Sequence, residues 1–198
     1  MDNHSKLLIE TGTDVLDDVL AGGLPEGRTT LVTGGPGTGK STLAMQFLQE
    51  GIENDEETLF LSTEQTREEL EDSFEGFDFD LGHDNLTIAS IHATKGKTLE
   101  EGDDELVIQS SGGNDLLGEP FSAPFEPEYI TEYLEQFKPA DRVVVDSVSA
   151  FDVIGESKRI ADRVILELIR FVNDELEATA VITSEGVSSV NADRRYVS

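Results

Sequence analysis

Short apolar runs alternate with amphipathic stretches along most of the chain. The runs are rich in β-branched residues and predict buried strands at residues 28–33, 58–62, 86–91, 142–146 and 179–183. Between them, apolar residues recur every three or four positions and predict helices, over 41–53, from 66 onward, over 127–137 and over 157–176. Strands that alternate with helices favour an α/β fold, in which helices cover both faces of a mainly parallel sheet.

The pattern weakens between residues 92 and 125. Acidic residues, glycines and two prolines surround one short apolar run at 106–109. We predict a surface insertion over 92–125 within one domain that spans residues 1–198, a length that suits a single domain.

A glycine-rich segment, GGPGTGKS at residues 34–41, lies between the first predicted strand and the first predicted helix. It matches the phosphate-binding loop pattern, in which glycines let successive backbone N–H groups point at phosphate oxygens. The following helix adds the positive end of its dipole. The alternative is a glycine-rich turn that matches by chance, which the strand before it and the helix after it disfavour.

Two residues of this loop have side chains with expected roles. Lys40 is placed to reach the β- and γ-phosphates of a nucleotide, and the Ser41 hydroxyl is placed to ligate Mg²⁺. The predicted nucleotide-binding residues are Gly34, Gly35, Pro36, Gly37, Thr38, Gly39, Lys40, Ser41 and Thr42.

Two carboxylates follow other predicted strands. Asp146 ends the strand at 142–146 and would hold Mg²⁺ or its waters, although an Asp can also simply cap a strand. Glu64 follows the strand at 58–62 and would orient or deprotonate the water that attacks the γ-phosphate. The alternative for Glu64 is an ordinary exposed carboxylate. Ligands of parallel sheets bind beyond the carboxyl ends of the strands, so we expect these groups to converge.

The charge of the chain is strongly negative, with 42 Asp and Glu against 14 Lys and Arg and a net charge of −28. The acids are spread along the chain, which argues against an acidic tail, and the apolar periodicity argues against disorder. We expect a cytoplasmic protein of a halophile, because concentrated salt screens repulsion between surface carboxylates beyond about 3 Å. The same charge disfavours direct nucleic-acid binding, which requires Lys and Arg against phosphates.

Other chemistry is excluded by composition. The chain has no cysteine, which rules out disulfides and thiolate metal sites, and His4, His83 and His92 lack metal-ligand spacing. No stretch approaches the roughly 20 apolar residues that a membrane helix needs. The first residues, MDNHSKLLIE, lack a signal-peptide pattern.

The sequence resembles the KaiC-like ATPases of the RecA superfamily. The resemblance rests on ETGTDVLDDVLAGGLPEGRTTLVTGGPGTGKSTLAMQFLQEG at 10–51, FLSTEQTREEL at 60–70, VVVDSVSAF at 143–151 and AVITSE at 180–185. It implies a RecA-like P-loop NTPase core, ATP with Mg²⁺, and self-assembly, commonly into rings with ATP between subunits. By the same resemblance, Glu64 matches the catalytic glutamate of the family.

Two features depart from that family. Gln65 stands where the family has a second acid, which would slow or alter hydrolysis. The chain also stops at Ser198, whereas family members continue into strands with basic residues that reach a neighbour's phosphate. We therefore expect either a truncated form or one that lacks this contact.

The main functional hypothesis is an ATPase that acts as a regulatory or signalling homo-oligomer, with Lys40 and Glu64 in catalysis. One alternative is a non-catalytic protein whose assembly is gated by bound nucleotide. A second alternative, a recombinase-type DNA-binding ATPase, is disfavoured by charge. Two smaller groups remain candidates: Thr183 and Ser184 for sensing the γ-phosphate, and Lys158, Arg159, Arg163 and Arg170 for either a subunit contact or a solvated face.

Overall fold

The computed structural model describes residues 7–94, 105–112, 121–124, 126–154 and 158–185. The strands are β1 (Leu8–Ile9), β2 (Leu24–Pro25), β3 (Thr29–Gly34), β4 (Thr58–Ser62), β5 (Leu86–Thr94), β6 (Glu105–Gly112), β7 (Phe121–Pro124), β8 (Arg142–Asp146) and β9 (Thr179–Glu185). The helices are α1 (Asp14–Val19), α2 (Lys40–Glu53), α3 (Arg67–Ser73), α4 (Pro127–Glu135), α5 (Ser149–Ile154) and α6 (Lys158–Arg170), which a π-helical turn continues at Phe171–Glu175.

Seven strands form the main sheet in the order β3-β9-β8-β4-β5-β6-β7. The first five are mutually parallel, and β6 and β7 pair antiparallel at one side. The predicted α/β fold with a mainly parallel sheet is therefore confirmed. Each of the five parallel strands lies close to its predicted position, because buried parallel strands are continuous apolar runs that are easy to recognise.

The predicted surface insertion over 92–125 stays a prediction, but its described parts contain strands that we did not predict. There, β5 continues to Thr94, and β6 and β7 extend the main sheet beyond β5. The sequence signal for these strands is short, one apolar run at 106–109 among acidic residues and glycines. The rest of this region lies outside the described residues.

Alternating residues of β4, β5, β8 and β9 supply two apolar cores, one on each face of the sheet. One face packs against α2 and α3, through side chains such as Phe47, Leu48 and Leu70. The opposite face packs against α4, α5 and α6, with Phe151 and Val164 fully buried. This two-faced packing places the amino end of α2 and the carboxyl ends of the strands at the same edge.

The helix ends largely follow their sequence signals. Thr66 and Glu69 form the predicted capping box at the start of α3, and Pro127 occupies the first turn of α4. The predicted helix over 157–176 changes to π-helical geometry at Phe171. Amphipathic periodicity does not separate the α-helix from a single π-turn, because both keep one face against the core.

A buried arginine, Arg142, joins the N-terminal segment to the sheet. Its side chain is 3% exposed and pairs with Glu56, and its guanidinium donates to the carbonyls of Glu10 and Phe47 at 2.7 and 2.9 Å. The guanidinium carbon also lies 4.8 Å from the centre of the Phe47 ring. Arg142 therefore fixes the start of β8 to the middle of α2.

The first prediction concerns this arginine. We expect Arg142→Met to lower the free energy of unfolding by at least ~2 kcal/mol, because it leaves buried carbonyls and a partly buried Glu56 without their donor. Denaturant unfolding measures the change, with Arg28→Met as a control that removes an equal charge from an exposed position. Equal stability of the Arg142 variant and the parent would contradict the role given to Arg142.

Candidate functional site

The glycine-rich loop between β3 and α2 has the backbone geometry of an anion cradle. Gly37 and Gly39 adopt φ values of +72° and +87°, which side-chain-bearing residues rarely adopt. A Cβ at Gly34 would lie only 2.7 Å from the Thr38 hydroxyl oxygen, so that position also requires glycine. At Gly35, Gly37 and Gly39 an added Cβ would meet nothing within 4 Å. The loop is therefore closely packed at Gly34 but open to solvent at Gly35, Gly37 and Gly39, where a ligand can approach the backbone.

Two side chains of the loop bind its own backbone. The Thr38 hydroxyl donates to the Gly35 carbonyl at 2.9 Å, and the Lys40 ammonium donates to the same carbonyl at 3.1 Å. Both bonds lie at an exposed position, and the ammonium can exchange this carbonyl for a phosphate oxygen without crossing the core. Lys40 begins α2, so Ser41 lies in the first turn, where backbone N–H groups have no helical acceptor.

Asp146 ends β8 in a nearly closed environment. It is 9% exposed, and the Thr183 hydroxyl on β9 donates to its Oδ1 atom. Its other carboxylate oxygen accepts no hydrogen bond from the part of the chain that the structure describes. Asp146 thus keeps a fixed orientation and one oxygen for a further ligand or water.

A hydrogen-bond network links the ends of β4 and β8. The Thr63 N–H donates to the Asp146 carbonyl at 2.9 Å. The Thr63 hydroxyl donates to the Ser147 carbonyl at 2.6 Å, and the Ser147 N–H donates back to that hydroxyl at 2.9 Å. The Ser147 hydroxyl then donates to Glu64 Oε1 at 2.8 Å. Glu64 is exposed, so this bond orients a carboxylate that water and substrate can reach.

The strand register places the predicted site residues at one edge of the sheet. Gly34 at the end of β3 pairs with Glu185 on β9, and Asp146 at the end of β8 pairs with Ser62, two residues before Glu64. Because β9 lies between β3 and β8, those strands are about 10 Å apart. Beyond the strand ends, a phosphate group and a hydrated cation together can span that separation.

The remaining candidate residues, two hydroxyl residues of β9 and the basic residues of α6, lie in different parts of the fold. Thr183 contacts Asp146, and the Ser184 hydroxyl lies 3.2 Å from that of Ser149, so both line the same edge. Arg163 and Arg170 lie on α6, on the far face of the sheet from α2. The side chains of Lys158 and Arg159 lie outside the described residues.

Gln65 turns away from this network. Its amide donates to the Ser73 hydroxyl at the end of α3 at 2.8 Å, and its carbonyl accepts from the Ser62 hydroxyl at 2.6 Å. It therefore supports the turn between β4 and α3.

Sequence reasoning missed two residues of the network, Thr63 and Ser147. Their signal was their position directly after an apolar strand, next to Glu64 and Asp146. A hydroxyl residue in a turn is too common to single out without knowing that the two strands are neighbours.

The residues present suit Mg²⁺ bound with a nucleotide. Among the described residues there is no group of three or more His, Asp or Glu side chains that could hold a metal alone. Mg²⁺ commonly takes one or two carboxylates and completes its shell with phosphate oxygens and water. A single carboxylate, Asp146, and the Ser41 hydroxyl fit that pattern.

Every helix in the described ranges is too short or too polar to cross a membrane.

Comparison with known proteins identifies the family of the chain. The family model described as "ATPase: KaiC" matches residues 9–197. A circadian clock oscillator protein KaiC from Prochlorococcus marinus subsp. pastoris is 32% identical over 189 residues, which cover 95% of this chain and 34% of that protein. A UPF0273 protein from Saccharolobus solfataricus is 28% identical over 190 residues, covering 89% of this chain and 60% of the relative.

A solved structure shows the same fold. The KaiC-like protein from Pyrococcus horikoshii superposes with a TM-score of 0.67 at 24% identity, over 91% of this chain and 71% of that one. The chain spans about a third of the length of the clock proteins it matches, so the likeness concerns one ATPase domain. The match over almost the whole chain shows that it belongs to the KaiC ATPase family of the RecA superfamily.

Proposed function

We propose that this chain binds ATP with Mg²⁺ and hydrolyses it slowly, as a subunit of a cytoplasmic regulatory or signalling oligomer. The observation that carries the proposal is the convergence of three groups at one edge of the sheet. The loop after β3, Asp146 at the end of β8 and Glu64 after β4 all follow from strands that end at this edge. Membership of an ATPase family supports nucleotide binding, and the finer assignments rest on the geometry.

In the proposed complex, the loop from Gly34 to Thr42 binds the nucleotide. Backbone N–H groups and the start of α2 face the phosphates, and the Lys40 ammonium leaves the Gly35 carbonyl for the β- and γ-phosphates. Ser41 and Asp146 would hold Mg²⁺, directly or through its waters. The bound cation would offset the negative charge that builds up on the transferred phosphoryl group.

The proposed chemistry centres on Glu64. The Ser147 hydroxyl donates to its Oε1 atom, while its Oε2 atom accepts no hydrogen bond from the described residues. Oε2 is therefore available to accept a proton from a water that attacks the γ-phosphate. The attack forms a bond from the water oxygen to phosphorus and breaks the bond to the leaving oxygen of ADP.

A specific observation favours a second candidate, in which bound nucleotide only gates assembly. Gln65 carries no charge, and its amide is held by Ser73 rather than aimed at the site. Glu64 is then the one carboxylate of this turn that can act on water. In this alternative the site binds ATP equally well but turnover is negligible.

The charge of −28 defines the proposed setting. We place the protein in a cytoplasm of high salt, where screening allows so many carboxylates to coexist on one fold. A DNA-binding ATPase remains disfavoured, because its affinity would depend on cations that this surface largely lacks.

The second prediction concerns nucleotide binding by the loop. Lys40→Ala should weaken ATP binding by at least ~2 kcal/mol, because it removes the loop's one side-chain cation from several phosphate charges. Calorimetric titration in molar KCl with Mg²⁺ measures the loss. Lys138→Ala is the matched control, since Lys138 pairs with Glu175 at another part of the fold. Unchanged ATP affinity in the Lys40 variant would show that the loop is not part of the nucleotide-binding site.

The third prediction tests the chemistry. Glu64→Gln keeps the shape of the side chain and can still bond Ser147, but it is a far weaker base. We expect hydrolysis to fall by ~10²-fold or more while ATP affinity changes little. Phosphate release under saturating ATP measures turnover, with Glu68→Gln, an exposed position on α3, as the control.

Two results would weigh against catalysis by Glu64. Equal turnover in the Glu64 variant and the parent would show that Glu64 is an ordinary exposed carboxylate with no part in catalysis. Tight ATP binding without measurable turnover in the parent itself would favour the nucleotide-gated alternative.

A further inference from the structure

Asp146 and Thr183 lie at the carboxyl ends of neighbouring strands and point to the same face of the sheet. Strands β8 and β9 are parallel neighbours, and the side chains of each strand alternate between the two faces. Val144 and Val181, each two residues earlier on its strand, belong to the core that packs against α2. The side chains of Asp146 and Thr183 therefore point to the α2 face.

The same face carries the other proposed metal ligand. Helix α2 packs on it and begins at Lys40, which places Ser41 in the first turn. The Asp146 carboxylate and the Ser41 hydroxyl thus lie on one side of the sheet, as a shared cation requires.

The hydroxyl of Thr183 is already used by Asp146. Thr183 is fully buried, and its hydroxyl donates to the Oδ1 atom of Asp146. A hydroxyl group has a single proton, so it cannot donate to a phosphate oxygen while this bond is made. The bond therefore disfavours the expected role of Thr183 as a sensor of the γ-phosphate.

Backbone hydrogen bonds hold the two residues in place but do not orient the carboxylate. The Val148 N–H donates to the Thr183 carbonyl at 3.0 Å, and the Thr63 N–H donates to the Asp146 carbonyl at 2.9 Å. An aspartate side chain on a fixed backbone still has several rotamers. Among the described residues, Thr183 is the one that donates a hydrogen bond to this carboxylate.

From this arrangement we propose that Thr183 is a positioning residue for the metal. Its hydroxyl holds Oδ1 of Asp146 and thereby leaves Oδ2 for Mg²⁺ or for one of its waters. Two consequences follow. The benefit of Mg²⁺ depends on Thr183 for ATP and for ADP alike, whereas recognition of the γ-phosphate itself does not. This inference rests on the proposed nucleotide site and adds the residue that orients its carboxylate.

Nucleotide binding with and without the metal tests this role. Calorimetric titration in molar KCl gives the affinities for ATP and for ADP, each with Mg²⁺ and with EDTA. Thr183→Val removes the hydroxyl at nearly the same volume. We expect it to reduce the gain in affinity that Mg²⁺ gives by at least ~5-fold for both nucleotides, because a charge-assisted bond is lost. Metal-free affinities should stay unchanged, and Thr183→Ser should keep the gain.

A double variant tests whether Thr183 acts through Asp146. Asp146→Asn should itself reduce the gain in affinity from Mg²⁺. Adding Thr183→Val to that variant should then change the gain little further, because the carboxylate that Thr183 orients is already absent. Fully additive effects of the two substitutions would contradict the proposal.

Thr179→Val is a matched control on the same strand. Thr179 is also buried, and its hydroxyl oxygen accepts from the Gly27 N–H at the opposite end of β9. The loss of a buried hydroxyl can destabilise either variant, but the Thr179 variant should keep the parental gain from Mg²⁺. If Thr183→Val does not fold, Thr183→Ala provides the same comparison.

Each outcome bears on a different assignment. An unchanged gain from Mg²⁺ in the folded Thr183 variant would overturn the positioning role. Weaker binding of ATP but not of ADP, with or without the metal, would overturn it in favour of γ-phosphate sensing. A parent that binds ATP without any gain from Mg²⁺ would refute the metal roles of Thr183 and Asp146 and leave the loop standing. A parent that binds neither nucleotide would refute the proposed function itself.

Discussion

The candidate site depends on the fixed parallel register of β3, β9, β8 and β4. A slip of one residue would turn Asp146 away from its partner Thr183 and invert both apolar faces of the strand. At the opposite end of β8, Arg142 ties the start of this strand to the Phe47 carbonyl of α2. From there α2 runs about 9 Å back to Ser41 and β8 runs about 13 Å to Asp146, so one buried guanidinium links the two elements that carry the proposed metal ligands.

The polar network at the sheet edge has two parts. Backbone and hydroxyl hydrogen bonds between Thr63 and Ser147 hold the ends of β4 and β8 together. The Ser147 hydroxyl, held in this way, donates to Glu64. A carboxylate on an exposed turn would otherwise sample many rotamers, which lowers the fraction of time it faces an attacking water. In the nucleotide-gated alternative, the same rigid edge would let a bound γ-phosphate contact both strands.

Sequence patterns predicted the buried strands, the loop and the two carboxylates, because each has a strong local signal. They did not predict β6 and β7, which follow β5 at one side of the sheet. They also missed Ser147 and the part played by Arg142, since both depend on neighbours 80 or more residues away. Local signals therefore located the parallel strands and the residues at their ends, whereas contacts set by the strand order required the structure.

We propose that one sheet edge holds the nucleotide, the metal and the carboxylate that acts on water. A crystal structure of the chain with Mg²⁺ and a non-hydrolysable ATP analogue would test this arrangement. We expect the phosphates in the loop at Gly34–Ser41, Mg²⁺ about 2.1 Å from the Ser41 hydroxyl oxygen, and Asp146 bound to the cation or its waters. We also expect a water between Glu64 and the γ-phosphate. An analogue bound away from the loop, or Glu64 turned from the γ-phosphate with no water between them, would contradict it.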